Sequence, residues 1–268
     1  NEQSFGRPES DELYFGIVLN TLKEDAKQTH AKAAFTKQLK EKYRDIESLN
    51  TAWNTQLDSW QTFERGVDVG FTTQAQRQDY SDLLYAYGKQ YFGSIRKATK
   101  SVLPNHLYLG ARMADWGRPD EIVRAAAENS DVLSFNLYED GYVESHWEIL
   151  EELDHPTLIG EFGFGADDAG HFHPGIVVAA DQADRGRKYK EYMHSIIDSP
   201  HFVGAHMFQY MDGPITGRAY DGENYNFGMV SITDIPYWPL VNAAKEVHST
   251  LYQRRYNDHK FTPPVKTE

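Results

Sequence analysis

The chain of 268 residues carries 27 Lys and Arg against 40 Asp and Glu, a net charge of −13, and no cysteine. That charge argues against binding to duplex nucleic acid or an anionic membrane, and the missing cysteines exclude disulfides, thiolate metal sites and cysteine nucleophiles. With 40% hydrophobic and 13% aromatic residues it is no low-complexity disordered segment, and no run approaches the ~18 apolar residues of a membrane span.

Residues 1–10 are polar, hold no signal-peptide core and lack an initiator methionine, so the chain is expected to be a processed or truncated product. The LYFGIVL run over residues 13–19 reads equally as strand or helix. Phe35, Leu39, Tyr43, Ile46, Leu49 and Trp53 recur at helical spacing, which predicts one amphipathic helix over 32–53 running into a loop. A second helix is predicted from Thr73, where Thr73 and Gln76 form a capping-box pattern, through to Leu103 and Pro104. Trp53 and Trp60 are expected to pack between helix and loop.

Strands and helices then alternate. Strands are predicted over 107–113, 132–138, 157–162 and 202–210, and helices over 122–128, 146–153, 179–197 and 239–254. Pro119 suits a first helical position, with Asp120 and Glu121 at the positive end of the dipole. The folded part of a domain is expected over residues 1–255 and a polar tail over 256–268. Repeated βα units build either an open sheet or a closed barrel, and both place active sites at the C-terminal ends of their strands. Arg112, Asn136, Tyr138, Glu161, Gln209 and Asp212 fall at those expected ends.

Glu161 ends an apolar strand between Gly160 and Gly163. A carboxylate placed so is either a partly desolvated reactive group or an ion-paired structural one. Trp116, Tyr142, Trp147, Phe164, Tyr210, Tyr220 and Tyr225 are aromatic candidates to contact a ligand in the loops around these strand ends. Arg112, Asn136, Gln209, Asp212, Arg218, Glu223 and Asn224 are candidates to bind hydroxyls, and each of these residues could equally be scaffold. His171 and His173, near Asp167 and Asp168, match no metal motif and read as an exposed loop pair, so no metal or cofactor is expected. No HExxH, Walker loop, dinucleotide fingerprint or Gly-x-Ser-x-Gly elbow occurs.

The succession of Asn1-Glu2, helices, two strands, a strand ending Gly-Glu-Phe-Gly and a last strand ending in aromatic and amide residues resembles the retaining glycoside hydrolases of clan A. The stretch from Phe35 through Tyr43, Ile46 and Asn50 to Trp53 is similar to family 42 β-galactosidases and agarases. The run Asn224-Tyr225-Asn226-Phe227-Gly228-Met229-Val230, then Thr233-Asp234 and Pro236-Tyr237, resembles the family 50 β-agarases, as do the Glu161 motif and residues 209–213.

The resemblance implies that Glu161 is the nucleophile at the end of strand seven, Glu2 the acid/base at the end of strand four, and Tyr138 the residue that orients Glu161. Asn1 would bind the sugar 2-hydroxyl, and Tyr138 could instead be a core tyrosine. Counting back from Glu161, the chain would be the C-terminal half of a TIM (β/α)8 barrel, strands five to eight with their helices. It would lack its N-terminal half and be inactive alone. The implied substrate is agarose or its oligosaccharides, cut at β-1,4 links, and a polymeric substrate implies a secreted or periplasmic enzyme. The rivals are another clan A activity such as β-galactosidase, and a non-catalytic carbohydrate-binding remnant.

Overall fold

The computed structural model describes residues 4–256. The chain divides into two compact units, Asn1–Leu133 and Ser134–Glu268. The first is mainly helical: α1 (Asp11–Tyr14), α2 (Gly16–Lys23), α3 (His30–Tyr43), α4 (Ile46–Trp53), α5 (Trp60–Arg65), α6 (Gln74–Val102), strand β1 (Arg112–Ala114) and α7 (Asp120–Asn129). The division falls inside β2 (Leu133–Asn136), the second strand of a four-stranded sheet ordered β1-β2-β3-β4. The second unit continues with α8 (Glu148–Leu153), β3 (Thr157–Phe162), α9 (Gln182–Asp198), β4 (Phe202–Met207) and α10 (Trp238–Tyr256). This is an α/β fold in which each strand leads to a helix. No helix among the described residues is long and apolar enough to cross a membrane.

Local chemistry sets the helix ends. The ambiguous run after Ser10 is helical, and the Ser10 hydroxyl caps α1 by accepting from the Leu13 amide. The helix predicted over 32–53 is two helices. Arg44 turns the backbone with φ 64°, and Asp45 then caps α4 through the Ser48 amide at 2.8 Å. Thr73 caps α6 through the Gln76 amide at 3.1 Å, but the Gln76 carboxamide reaches back to the Thr72 amide, one residue beyond a standard capping box. Helix α5 was not legible in the pattern, being only six residues long.

The core of the first unit gathers Phe15, Leu22, Phe35, Leu49, Trp53, Phe63, Tyr80 and Leu84. Trp53 is fully buried and donates its indole N–H to Asp79 at 2.6 Å. Helices α6 and α7 meet at Gly88, where an added Cβ would lie 2.8 Å from the Ala125 Cβ, so only glycine permits the approach.

The strand expected over 107–113 is a correction. Only Arg112–Ala114 is strand, because Gly110 turns the chain with φ 66° and Leu107 stands 68% exposed. Arg112 therefore begins β1 and does not end it. Pro119 is the N-cap of α7, one place before the first helical position. The helix expected over 146–153 breaks at Trp147 into a 3₁₀ turn (Glu144–His146) and α8. Helix α10 takes in Tyr256, the first residue assigned to the tail.

Strand β3 keeps the bounds read from the sequence and pairs in parallel with β4: Thr157 with Phe202, Leu158 with Gly204, Ile159 with Ala205, and Phe162 with Met207. Helix α9 buries Arg185, Tyr189, Tyr192, Met193 and Ile196 at three- and four-residue spacing. Its N-cap Asp181 accepts from the Asp184 amide at 2.7 Å.

Candidate active site

Strand β3 brings Glu161 to its C-terminal end between buried Gly160 and Phe162. The neighbouring segment after β2 clasps it twice. The Leu137 amide donates to the Glu161 carbonyl at 3.0 Å, and the Tyr138 hydroxyl donates to Glu161 Oε2 at 3.0 Å. The first bond sets the backbone register, and the second restricts rotation of the carboxylate. Asn136, the last residue of β2, is fully buried, and neither end of its amide has a hydrogen-bond partner among the described residues. Buried amides are normally hydrogen-bonded, so Asn136 carries both donor and acceptor capacity at this strand end. Asn1 and Glu2 lie outside the described residues.

The segment after β4 forms the adjoining wall. The Phe208 amide donates to the Phe162 carbonyl at 2.7 Å, and the Phe208–Gln209 peptide is cis. Gln209 is tied through its backbone to Phe227 and Met229. Tyr210 is exposed and its hydroxyl donates to Asp234 at 3.3 Å. Arg218 bonds Asp221 at 2.7 Å and also Glu223, while its guanidinium lies 5.5 Å from the Phe208 ring centroid and 4.9 Å from that of Tyr220. Asn224 reaches the Ile215 carbonyl at 3.4 Å. Burial holds the Glu223 carboxyl above the usual carboxylate range; the Arg218 charge opposes this, and the charges of Asp221 and Glu161 add to it.

Asp212 departs from the role expected of it. It is buried and accepts from Asn226 Nδ2 at 3.0 Å, the Gly228 amide at 2.7 Å and the Tyr237 hydroxyl at 2.6 Å. Its lone pairs are committed to the loop, so it braces the wall and does not offer itself to a sugar hydroxyl. Burial, and then the bond to Asp212, drive the Tyr237 phenol well above its usual value.

His171 is likewise buried, contrary to its reading as exposed. Its Nε2 pairs with the Gly213 carbonyl at 3.1 Å, and Asp212 lies 3.9 Å away. His173 accepts from the Gly175 amide at 3.0 Å and rests against Tyr225. Among the described residues no cluster of three or more His, Asp or Glu could hold a metal ion.

Two of the candidate ligand-contacting aromatics are core residues. Trp147 packs edge-on to Phe135, and Phe164 packs against Phe162 and Tyr192. Tyr142 packs on Phe202 at 4.9 Å, whereas Tyr220 is exposed. In the first unit, Trp116 follows β1 in a 3₁₀ turn, half open to solvent, with the Arg7 guanidinium 4.7 Å from its ring.

The residue that the sequence reading missed is Arg185. Fully buried on α9, it donates to the carbonyls of Phe164 at 2.9 Å and Gly228 at 2.9 Å, and to Gln182 Oε1 at 2.7 Å. It thereby joins the segments that follow β3 and β4. Gln182 extends the network to Asp168 at 2.7 Å and Asn226 at 2.8 Å. Burial lowers the Arg185 pKa to about 10, partly countered by Asp212 and Tyr237. The available signal was an arginine at the head of an otherwise apolar stripe with Tyr189, Tyr192 and Ile196.

The sheet thus presents a tyrosine-held glutamate beside a wall of amides, tyrosines and carboxylates. The model of glycoside hydrolase family 42, described as beta-galactosidase, matches residues 20–160, and the chain belongs to that family. It is 52% identical over 258 residues to beta-agarase B of Vibrio sp. (strain JT0107), covering 96% of this chain and 27% of that protein. It is 42% identical over 242 residues to beta-agarase A of the same organism, covering 88% and 24%. A solved exo-beta-agarase superposes with a TM-score of 0.94 at 54% identity, covering 95% of this chain and 35% of the other. The chain thus spans about a quarter of the length of the curated relatives it matches.

Proposed function

We propose that this chain is the C-terminal half of the catalytic (β/α)8 barrel of a clan A retaining β-agarase, which cuts β-1,4 links in agarose and its oligosaccharides. In this reading β1 to β4 are barrel strands five to eight, and the rest of the enzyme supplies the first four. The observation that carries it is the Tyr138 hydroxyl bonded to Glu161 at the C-terminal end of β3, in a chain whose relatives are named agarases. The Asn1-Glu2 pair of the sequence supplies the second carboxyl.

Retaining hydrolysis needs two carboxyl groups about 5–5.5 Å apart. Glu161 attacks the anomeric carbon while Glu2, protonated at the start, gives its proton to the departing oxygen. Glu2 then takes a proton from water, which displaces Glu161 and restores both groups. Tyr138 holds the carboxylate in the attacking rotamer, and Asn1 binds the 2-hydroxyl as positive charge develops at the ring. Arg112, Trp116, Asn136, Gln209, Tyr210, Arg218, Glu223 and Asn224 are the proposed sugar-binding set. Asp212 joins it only indirectly, by bracing the last loop. An enzyme for a gel-forming polymer works outside the cell or in the periplasm.

The test is Glu161→Gln in the full-length protein, assayed on agarose and neoagarotetraose. A loss of at least a thousandfold is expected, and unchanged hydrolysis would remove Glu161 from the role of nucleophile. The family model favours a second reading, β-galactosidase. Release of galactose from lactose, with no action on agarose, would establish it.

A further inference from the structure

The chain contains three Asp-Gly pairs, at 140–141, 212–213 and 221–222. In such a pair a side-chain carboxyl stands next to the least hindered main-chain nitrogen, since glycine has no Cβ to shield it. Two of the three are locked. Asp212 is buried with both oxygens bonded, and the Gly213 amide donates to the Tyr225 carbonyl at 3.1 Å. Arg218 holds the two oxygens of Asp221 at 3.1 and 2.7 Å, and the Gly222 amide donates to the Arg218 carbonyl at 2.8 Å. The pair at 140–141 is open. The Asp140 side chain is 77% exposed in the bend over 139–141, and only its Oδ1 is bonded, to Lys188 of α9 at 2.5 Å. Among the described residues the Gly141 amide has no hydrogen-bond acceptor.

We propose that Asp140–Gly141 is a self-modification site, at which the chain converts slowly to an isoaspartyl linkage with water as the co-reactant. The Gly141 nitrogen bonds to the carboxyl carbon of Asp140, the bond from that carbon to its hydroxyl breaks, and the hydroxyl leaves with the amide proton as water. A second water then opens the cyclic imide. Opening at the side-chain carbonyl restores aspartate. Opening at the main-chain carbonyl leaves a free α-carboxylate and a chain that runs through the side-chain carbon, one backbone atom longer. Lys188 opposes the first step, because ring closure discharges the carboxylate with which it is paired. The added atom falls between two fixed points: Tyr138, bonded to Glu161 at 3.0 Å, and the Tyr142 amide, bonded to Ser195 Oγ at 2.9 Å. A longer segment between them loosens the grip of Tyr138 on Glu161. That consequence rests on the glycosidase reading above; the modification itself does not.

The test ages the full-length protein in heavy-oxygen water at neutral pH, maps its peptides by mass spectrometry and scores isoaspartate with an isoaspartyl methyltransferase. Isoaspartate and the heavy label should accumulate at Asp140, and roughly tenfold less at Asp212 and Asp221, where hydrogen bonds to charged groups must first be released. Lys188→Met should speed the conversion about twofold to fivefold, the worth of one partly exposed ion pair. Asp140→Glu, which closes the larger ring far less readily, should stay unmodified. Isoaspartate absent from Asp140 in both the wild type and Lys188→Met, or appearing first at Asp212 or Asp221, overturns the proposal. An unchanged rate in Lys188→Met overturns the part given to the lysine. On agarose, kcat of the aged wild type should fall in step with the modified fraction, while equally aged Asp140→Glu keeps its rate. Modification without that fall overturns the effect on Tyr138. Hydrolysis surviving Glu161→Gln overturns the glycosidase reading and not the modified site.

Discussion

The ring of Tyr192 lies flat on that of Phe162, with centroids 4.2 Å apart and planes 5° from parallel, while its hydroxyl donates to the Leu137 carbonyl at 3.0 Å. One side chain of α9 thus touches the residue after Glu161 and the residue before Tyr138. Tyr192→Phe keeps the stack and strips the buried Leu137 carbonyl of its donor, at an expected cost of about 1–2 kcal/mol in unfolding free energy. Tyr192→Ala should cost roughly 3–5 kcal/mol. Denaturant melts of both variants check this, and an unchanged midpoint for the phenylalanine variant would show the bond to be dispensable.

Glu223 holds its proton above the ordinary carboxylate range through burial, and Arg218 pulls in the other direction. If the ionised form binds substrate, KM should rise as the solution is acidified through that raised range. Removing the cation raises the Glu223 pKa further, so in Arg218→Met the rise in KM should begin at a higher pH. The pH profile of KM in the full-length protein reads this directly. Superimposable profiles would show that Glu223 does not bind as an anion.

Lys32 is fully buried, donates to the Leu22 carbonyl at 2.7 Å and sits 4.0 Å from the Phe63 ring centroid. Burial lowers its pKa from 10.5 to about 8. Between those values the unfolded chain binds more protons than the folded one, so this group makes stability rise with pH from about 8 to 10.5. Its penalty, fully present below pH 8, is roughly 3 kcal/mol at most. Lys32→Met should be the more stable protein at pH 7, with the gap closing as the pH approaches 10.5. A gap that does not depend on pH would mean the lysine carries no such penalty.

Asp79 is buried and accepts from Lys42 Nζ, the Tyr43 hydroxyl and Trp53 Nε1, each at 2.6 Å. It fastens α3 and α4 to α6. Asp79→Ala abandons three donors around one small void and should destabilise the chain by about 3–5 kcal/mol. Calorimetry checks the loss; a change below about 1 kcal/mol would mean that water replaces the carboxylate.

How much of this was legible in the sequence depended on where the deciding force acted. Strand β3 was read to its last residue because an apolar run of β-favouring residues between His155-Pro156 and Gly163 leaves no competing pattern. The strand before α7 was overread because Leu107 and Leu109 look like core yet face solvent. Hydrophobicity alone cannot register the turn at Gly110. The Tyr138–Glu161 pair followed from the family resemblance and stands at hydrogen-bond distance. The Asp212 brace was not legible, because its partners Asn226, Gly228 and Tyr237 are polar loop residues with no periodicity. A carboxylate that binds a ligand and one that binds its own loop look alike until their hydrogen bonds are counted.

Arg185 grips the segments after β3 and β4 by two main-chain carbonyls, those of Phe164 and Gly228. A carbonyl is present whichever amino acid occupies the position. The two fastened positions are themselves constrained, since Phe164 is buried in the core and a Cβ on Gly228 would lie 2.2 Å from the Val230 carbonyl, but the loop residues between these anchors can change without touching the joint. Loss of the arginine would release both loop ends at once.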